Sequence, residues 1–182
     1  MDPEFIIEQT KQWIANVVIG LNLCPFARRV FDGALIRYAV TETSDEGELL
    51  VPLRRELLDL AAAPRSAVET TILIHPNVLN EFHDYNDFLG SADLLIQDLE
   101  LIGIIQIASF HPQYQFARTV PDAVENYTNR SPFPMLHLLR EESISEVDDD
   151  PAVLHGIPYR NVETMRRLGL TKLSQLLHKT TP

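Results

Sequence analysis

The sequence of 182 residues has a single cysteine, Cys24, so no disulfide can form within the chain. A lone thiol is typical of a reducing compartment, and no secretory leader is recognisable, so we expect a cytoplasmic protein. No uncharged run is both long and apolar enough to span a bilayer. The glycine motifs that hold the phosphates of dinucleotides and nucleoside triphosphates are missing, which excludes the usual nucleotide sites.

Basic residues are scarce. The 15 lysines and arginines are outnumbered by 26 aspartates and glutamates, and the formal net charge is −11. Such a surface repels the phosphates of nucleic acids and of anionic membranes. We therefore expect neither a nucleic-acid partner nor a membrane partner, while the sequence leaves the oligomeric state open.

Strand patterns that alternate with helical patterns predict an α/β fold in one domain over residues 1–182. Apolar or alternating runs predict strands at residues 34–41, 69–75 and 103–111. Two of these runs, residues 69–75 and 103–111, are nearly continuous apolar runs, as in strands covered on both faces. The sequence thus predicts a small parallel or mixed sheet of at least three strands flanked by helices. A ferredoxin-like α+β fold is the alternative.

The remaining segments carry helical signals. Thr43 and Glu46 have the spacing of a capping box, which predicts a helix start. Two short helical patterns on either side of Gly169 predict a C-terminal helical hairpin over residues 155–182. The opening residues 1–5 resemble a translated cloning linker. The predicted helices before the hairpin cover residues 6–19, 43–63, 79–101 and 131–143.

Two predicted strands end with the same residue pair, His75-Pro76 and His111-Pro112. If these strands are parallel, their carboxyl ends meet at the edge where α/β sheets bind ligands. Each proline restricts the preceding histidine to extended backbone, which orients the ring as a general base, an anion donor or a metal ligand. The alternative is that each histidine ends a strand and bonds a backbone carbonyl.

A segment without periodicity, residues 112–131, follows His111. It is much longer than ordinary connections of about 4–6 residues. It also contains aromatic side chains such as Tyr114, which disordered segments lack. We predict an ordered functional loop, in which Tyr114 forms a wall of a pocket or anchors the loop to the core.

The end of this loop predicts an anion site. Asn129, Arg130 and Ser131 directly precede a predicted helix, whose free N–H groups and dipole favour negative charge. Arg130 adds a forked, permanently charged donor, and Arg28 lies in another predicted loop of this acidic chain. These positive charges predict a small anionic molecule as the partner. Alternatively, Arg130 pairs with a carboxylate to hold the loop, and Ser131 caps the helix.

Cys24 is a candidate nucleophile. Arg28 and Arg29 follow it closely, and positive charge lowers the pKa of a thiol, while His111 would serve as its base. However, Cys24 lies just beyond a predicted helix C-terminus, whose negative end raises a thiol pKa. A buried, unreactive cysteine is the alternative.

A metal site is a further alternative. His137 and Glu141 would share one face of the predicted helix over residues 131–143, and His75 and His111 would complete the ligand set. No established metal motif is present, so the sequence predicts no cofactor. Without a metal, His137 would lie near the substrate or at the surface. The acidic run over residues 146–150 is interpreted as a solvated face.

Three segments, IGLNLCPFA, ASFHPQYQFA and NRSPFPMLHLLRE, together resemble an uncharacterised bacterial family, domain of unknown function 1415. The resemblance extends over nearly the whole chain. It implies membership of a one-domain cytoplasmic family and assigns no catalytic residue, so the chemistry must be inferred from the residues themselves.

The leading hypothesis is an enzyme, a hydrolase or transferase acting on a small anionic substrate. His111 would be the general acid or base, His75 a second polar group and Arg130 the anion clamp. Cys24 and His137 would lie nearby. Two alternatives stay open: a non-catalytic module that binds a small ligand or a protein through the long loop, and a metal-dependent enzyme.

Overall fold

The computed structural model describes residues 1–146 and 151–178. Its centre is a four-stranded sheet in the spatial order β1-β2-β4-β3. β1 and β2 are parallel, whereas β4 runs antiparallel to both β2 and β3. The strands are β1 Ile36–Val40, β2 Thr70–Ile74, β3 Ile105–Phe110 and β4 Met135–Arg140. The predicted mixed sheet flanked by helices is confirmed, and the antiparallel ferredoxin-like alternative is not the observed topology.

Helices cover both faces of this sheet. They are α1 Pro3–Trp13, α2 Ala27–Asp32, α3 Glu46–Ala62, α4 Phe82–Asp98, α5 Glu141–Ser145, α6 Pro151–Leu168 and α7 Leu170–His178. Residues 3–5, inside the predicted linker, form the first turn of α1. A π-helical segment, Ile14–Ile19, extends α1 to Gly20, where the carbonyl of Asn16 leaves no room for a Cβ. None of these described helices combines the length and hydrophobicity that a bilayer crossing requires.

The start of α3 differs from the predicted capping box. Asp45 caps the helix, and its Oδ1 accepts from the backbone N–H of Glu48 at 2.9 Å. Asp45 and Glu48 have the same spacing as Thr43 and Glu46, so sequence spacing did not distinguish the two pairs. Thr43 bonds the Glu48 carboxylate instead. The helix continues through Pro52.

The helix predicted over residues 131–143 is wrong, because this segment forms β4 and the short helix α5. Leu136 and Leu138 point to one face of the sheet, while Met135 and His137 point to the other. β4 lies between β2 and β3, and a central strand buried on both faces shows no polar alternation. A short apolar run of this kind does not separate strand from helix.

Each face of the sheet has its own core. The face covered by α3 and α4, called here the α3–α4 face, buries Leu49, Leu53, Leu57, Tyr85 and Phe88. The opposite face, called the α1 face, is covered by α1, the π-helical segment, α6 and α7, and it buries Ile6, Trp13, Ile14, Val17, Met165 and Leu173. Each fully buried side chain of this type stabilises the fold by about 1.5–3 kcal/mol.

β2 and β3 run in the same direction, with β4 between them. Their carboxyl ends therefore meet at one edge, beside the start of β4. The backbone N–H of His75 donates to the carbonyl of Pro134 at 3.1 Å, and that of His111 donates to the carbonyl of Asn129 at 3.2 Å. Both histidines thus lie at this edge, one residue beyond their strands.

The long loop over residues 112–131 has one 3₁₀ turn, Val124–Thr128, and is otherwise irregular. The fully buried side chain of Asn126 connects its parts. Oδ1 of Asn126 accepts from the backbone N–H of Phe116 at 3.0 Å, and its amide donates to two loop carbonyls. Because buried polar groups are bonded in this way, the loop has a defined conformation.

The C-terminal helices α6 and α7 confirm the predicted hairpin. Gly169 separates them with a φ of 75°, in the left-handed region that favours glycine at a helix end. α6 begins at Pro151, earlier than its pattern predicts. Apart from Glu146, the acidic run over residues 146–150 lies outside the described residues, as do residues 179–182 of the predicted hairpin.

Candidate functional site

His75 and His111 lie together on the α3–α4 face, and the ring of Tyr85 contacts both. The ring centroids are 5.8 Å apart for His75 and Tyr85, and 5.0 Å apart for His111 and Tyr85. All three side chains are fully buried. The Tyr85 hydroxyl donates to the carbonyl of Met135 and accepts from the N–H of Phe110, which connects β4 to β3. We call His75, Tyr85 and His111 the histidine edge.

Both ring nitrogens of His111 are bonded to backbone. Nε2 lies 3.1 Å from the carbonyl of Leu79, and Nδ1 accepts from the N–H of Gln113 at 3.0 Å. Because a carbonyl can only accept, Nε2 carries the proton. Burial lowers the pKa of His111, against the opposing effect of the backbone at Leu79 and Asn80. His111 therefore has no free nitrogen to offer a substrate.

His75 is held in a similar way. Its Nδ1 donates to the carbonyl of Val78 at 3.0 Å, and its Nε2 is sealed among the described protein atoms without a partner. Burial lowers the pKa of His75 to about 4, assisted by the nearby His111 and opposed by the Val78 carbonyl. His75 is consequently uncharged at neutral pH.

Arg130, predicted as the anion clamp, bonds within the loop. Its guanidinium lies 4.4 Å from the centre of the Tyr127 ring. Nε donates to the carbonyl of Tyr114 at 3.3 Å, and Nη2 donates to the carbonyl of Pro121 at 2.6 Å. These contacts correspond to the alternative in which Arg130 holds the loop, with carbonyls in place of a carboxylate.

The helix N-terminus predicted to favour an anion here is absent from this described segment, because strand β4 follows the loop. The hydroxyl of Ser131 donates to the carbonyl of Phe133 at 2.7 Å, so Ser131 closes a turn and caps no helix. The amide of Asn129 donates to the carbonyl of Ser109 at 3.1 Å. Both side chains fasten the loop to its neighbours.

Tyr114 and Arg28 lie apart from each other. The ring of Tyr114 packs on Phe82 and Phe116, with centroids 5.1 and 5.0 Å away, and so anchors the loop to α4. Arg28 is exposed on α2, not in the predicted loop, because the chain turns into a short helix directly after Pro25.

A cavity of about 240 Å³ lies on the α1 face, and two of the predicted site residues, Cys24 and His137, line it. The sheet forms its floor, and α1, the π-helical segment and α2 cover it. Its apolar walls include Trp13, Ile14, Val18, Phe26, Phe110 and Met135. We call this space the sheet cavity.

His137 lies in the middle of β4 and lines the sheet cavity. Its Nε2 is 2.8 Å from the hydroxyl of Thr70, and that hydroxyl donates to the carbonyl of Leu138 at 2.6 Å. A hydroxyl has one proton, so Thr70 must accept from the N–H of Nε2. Nδ1 is then the unprotonated nitrogen. Burial lowers the pKa of His137 to about 4, which keeps the ring neutral.

Cys24 borders the sheet cavity between the π-helical segment and α2. Burial raises the pKa of its thiol, against the opposing effects of the backbone of Phe26 and Ala27 and of the positive Arg160. The thiol therefore stays protonated at neutral pH, unlike an activated nucleophile. His111, its predicted base, contacts Tyr85 on the other face of the sheet.

Charged side chains close one side of the sheet cavity. Glu69, buried at the start of β2, accepts from Arg65 and from Arg29, each at 2.9 Å. The bonds from Arg65 and Arg29 lower the pKa of Glu69 to about 2 despite its burial. Arg65 also reaches Glu142 of α5 through an ion pair of 3.6 Å. Phe26 and Ser143 line both the cavity and a surface hollow beside these charges, so they separate the cavity from solvent here.

The side chains predicted to hold a metal are separated. His137 lies on β4 and Glu141 begins α5, so they do not share a helix face. His75 and His111 lie on the other face of the sheet. Within residues 1–146 and 151–178, no group of three or more His, Cys, Asp or Glu side chains is placed to hold a metal ion.

Sequence reasoning missed three residues that shape these regions: Thr70, Tyr85 and Asn126. A threonine inside an apolar strand must find a hydrogen-bond partner, so Thr70 did carry a signal. Tyr85 fits an ordinary apolar stripe of α4, and nothing nearby shows that its hydroxyl connects two strands. The partners of Asn126 lie several residues away in an irregular loop, where no spacing rule applies.

Comparison with known proteins identifies a family. Neither the curated proteins nor the solved structures yield a match. The family model described as Protein of unknown function (DUF1415) matches residues 5–175. This match covers nearly the whole chain and agrees with the resemblance of its three motifs. The chain therefore belongs to the DUF1415 family.

Proposed function

We propose that the protein binds a small, predominantly apolar molecule in the sheet cavity. The observation that carries this proposal is the cavity itself, with its volume of about 240 Å³ and its apolar walls. Concave, mostly apolar spaces with few polar groups are the usual sites of small ligands. An apolar cavity of about 150 Å³ takes up benzene from water, so this one has room for a substituted ring.

The energetics of apolar contact also favour binding. Empty volume in an apolar cavity costs a protein about 24 cal/mol per Å³, and a ligand recovers this free energy for the volume that it fills. A molecule that fills half of the sheet cavity would therefore gain about 3 kcal/mol from contact alone. This gain requires no charge on the ligand, in keeping with the neutral His137 and the protonated Cys24.

The hydrolase or transferase hypothesis stays a prediction, and the geometry supports it less well. Both nitrogens of His111 are bonded to backbone, and the pKa of His75, about 4, puts its proton exchange below physiological pH. Arg130 donates to carbonyls of its own loop. The geometry instead favours the non-catalytic alternative, with the sheet cavity rather than the loop as the recognition surface.

We place this binding in the cytoplasm. The free thiol of Cys24 supports that compartment, because an unpaired cysteine beside a ligand site stays intact where thiols are kept reduced. The net charge of −11 supports a small molecule over nucleic acid or membrane lipid as the partner.

Toluene tests the proposal, because it is apolar and small enough for the cavity. At ten times its Kd, we expect toluene to add about 1.4 kcal/mol of stability, which raises the Tm by about 3–6 °C. Toluene should also slow alkylation of Cys24 by iodoacetamide, and Cys24 is the only thiol in the chain. The two measurements report the same event independently.

A matched pair of variants locates the site. Ala108→Ile adds bulk inside the sheet cavity, whereas Gln106→Ile adds the same side chain at an exposed position of the same strand. We expect the first variant to lose both toluene effects and the second to keep them. If toluene changes neither Tm nor alkylation of the unmodified protein, the proposal is wrong.

A further inference from the structure

We infer that the ligand of the sheet cavity is a neutral molecule with one hydrogen-bond donor, which it directs at Nδ1 of His137. This inference rests on the proposed function and adds the chemical class of the ligand. The hydrogen bonds of the polar atoms that line the cavity leave one acceptor for a ligand.

Nδ1 of His137 has an unused lone pair. Nε2 donates to Thr70, and no other hydrogen bond to the ring forms within the described chain. Nε2 of His75 is sealed inside the described protein without a partner. Nδ1 of His137 also has no described partner, but it is not sealed in this way. His137 keeps accessible surface although the chain surrounds it, and it lines the sheet cavity. We assign this lone pair to the side of the ring that faces the cavity.

The other polar groups around the cavity are already engaged or out of reach. The Thr70 hydroxyl uses its proton on the Leu138 carbonyl. Oγ of Ser143 and Nε of Arg140 are sealed inside the protein. The carboxylate of Glu69 is held by two arginines. Among the described groups, Nδ1 of His137 is the strong acceptor that a ligand can reach.

This arrangement selects for one kind of ligand. A purely apolar molecule would cover Nδ1 and leave a buried acceptor without a partner, which weakens binding. A carboxylate ligand has no proton to donate to Nδ1 and would lose its hydration in an apolar space, so it would bind poorly. An ammonium ligand would also lose its hydration and would find no free carboxylate to pair with among the described groups. A neutral hydroxyl or N–H group on a small ring or short chain satisfies Nδ1 and leaves the remaining contacts apolar.

Three probes of similar size separate these classes: toluene, phenol and benzoate, each titrated calorimetrically at pH 7.5. We expect phenol to bind about tenfold more tightly than toluene and benzoate to bind least tightly. Equal Kd values for toluene and phenol, or tightest binding of benzoate, would overturn this inference and leave the proposed function standing. If none of the probes binds, both fail.

A variant assigns the preference to His137. His137→Leu keeps the bond from Thr70 to the Leu138 carbonyl, so it strands no buried donor. It should reverse the order, with toluene about tenfold tighter than phenol. His83→Leu, at a ring that is 88% exposed on α4, should keep the original order. Retention of the phenol preference in His137→Leu would contradict the assignment.

A spectroscopic measurement on the unmodified protein makes the same assignment without a variant. In the ¹⁵N spectrum of the histidine rings, Nδ1 of His137 should have the downfield shift of an unprotonated nitrogen. Phenol should move this resonance upfield by donating a hydrogen bond, whereas toluene should leave it in place. An unchanged resonance at saturating phenol would overturn the inference.

Discussion

His111 at the histidine edge and His137 in the sheet cavity are both enclosed by protein and both neutral. The second nitrogen of His111 accepts from the backbone of Gln113, whereas the second nitrogen of His137 bonds no described group. One ring is fully satisfied by the fold, and the other keeps a lone pair beside a cavity. The two regions lie on opposite faces of one sheet, so the same residue type has two different environments.

The position of each histidine on its strand explains the difference. His111 lies one residue beyond β3, where the turn that follows presents backbone groups with no partner in the sheet. In the middle of β4, the backbone groups are already paired with β2 and β3. A polar ring there can bond only side chains, and one hydroxyl, that of Thr70, is within reach. The unused nitrogen of His137 therefore lies in mid-strand, beneath the cavity.

Removal of the His111 ring should have the largest effect. His111→Ala leaves the Leu79 carbonyl and the Gln113 N–H without partners and opens space in a packed core. We expect a loss of about 3 kcal/mol or more in the free energy of unfolding, measured by urea titration. Toluene affinity of the remaining folded protein should stay within about twofold, because the cavity lies on the other face.

The exposed His83 supplies the control for that measurement, since His83→Ala removes the same ring from a surface position. Its unfolding free energy should change by less than about 0.5 kcal/mol. A small effect of His111→Ala on stability, combined with loss of toluene binding, would reverse the comparison and make His111 part of the ligand site.

The neutrality that the two regions share predicts a smaller, pH-dependent effect. Burial lowers the pKa of His137 from 6.5 to about 4. Between these values the unfolded chain binds a proton that the folded protein does not, so stability falls as the pH falls through this window. His137→Leu removes this contribution. On going from pH 7.5 to 5.5, the variant should lose about 1 kcal/mol less than the unmodified protein.

Urea titrations at the two pH values measure that difference. His83→Leu introduces the same side chain at an exposed position and controls for the leucine itself. Parallel pH profiles for the unmodified protein and His137→Leu would mean that His137 titrates normally. In that case its ring would be hydrated, and the sheet cavity would not be the apolar space described above.

Local signals explain why the two histidines of the histidine edge could be predicted. Proline directly after His75 and His111 marks two strand ends, and the apolar runs before them identify β2 and β3. Neighbouring residues carry these signals, so the sequence alone contains them. β4 lacks such a signal, since burial of both its faces removes the alternation that identifies a strand.

The sheet cavity depends on information that is not local. Its walls come from α1, the π-helical segment, α2 and the sheet, and only pairing of the strands decides which side chains face it. The sequence offers both Cys24 and His137 as candidates, but it groups them with His111. A single residue of register decides the face of a side chain, and the sequence pattern of β4 predicts a helix.

The smallest effect is expected at Arg130, where the loop and the sheet cavity come into contact. Arg130→Ala removes the guanidinium bonds to the carbonyls of Tyr114 and Pro121, but water can replace them on this partly exposed side chain. The free energy of unfolding should fall by about 1 kcal/mol or less, and hydrogen exchange should rise over residues 112–131. Arg28→Ala, at an exposed position of α2, should change neither quantity.

Toluene affinity decides what the loop contributes to the cavity. The indole N–H of Trp13, a wall of the sheet cavity, donates to the backbone carbonyl of Arg130 at 3.0 Å, and Arg130→Ala keeps that bond. We therefore expect an unchanged Kd for toluene together with faster exchange in the loop. A weaker Kd would show that the guanidinium fixes the carbonyl that holds Trp13. The loop would then belong to the binding site, and the separation of the two regions would not hold.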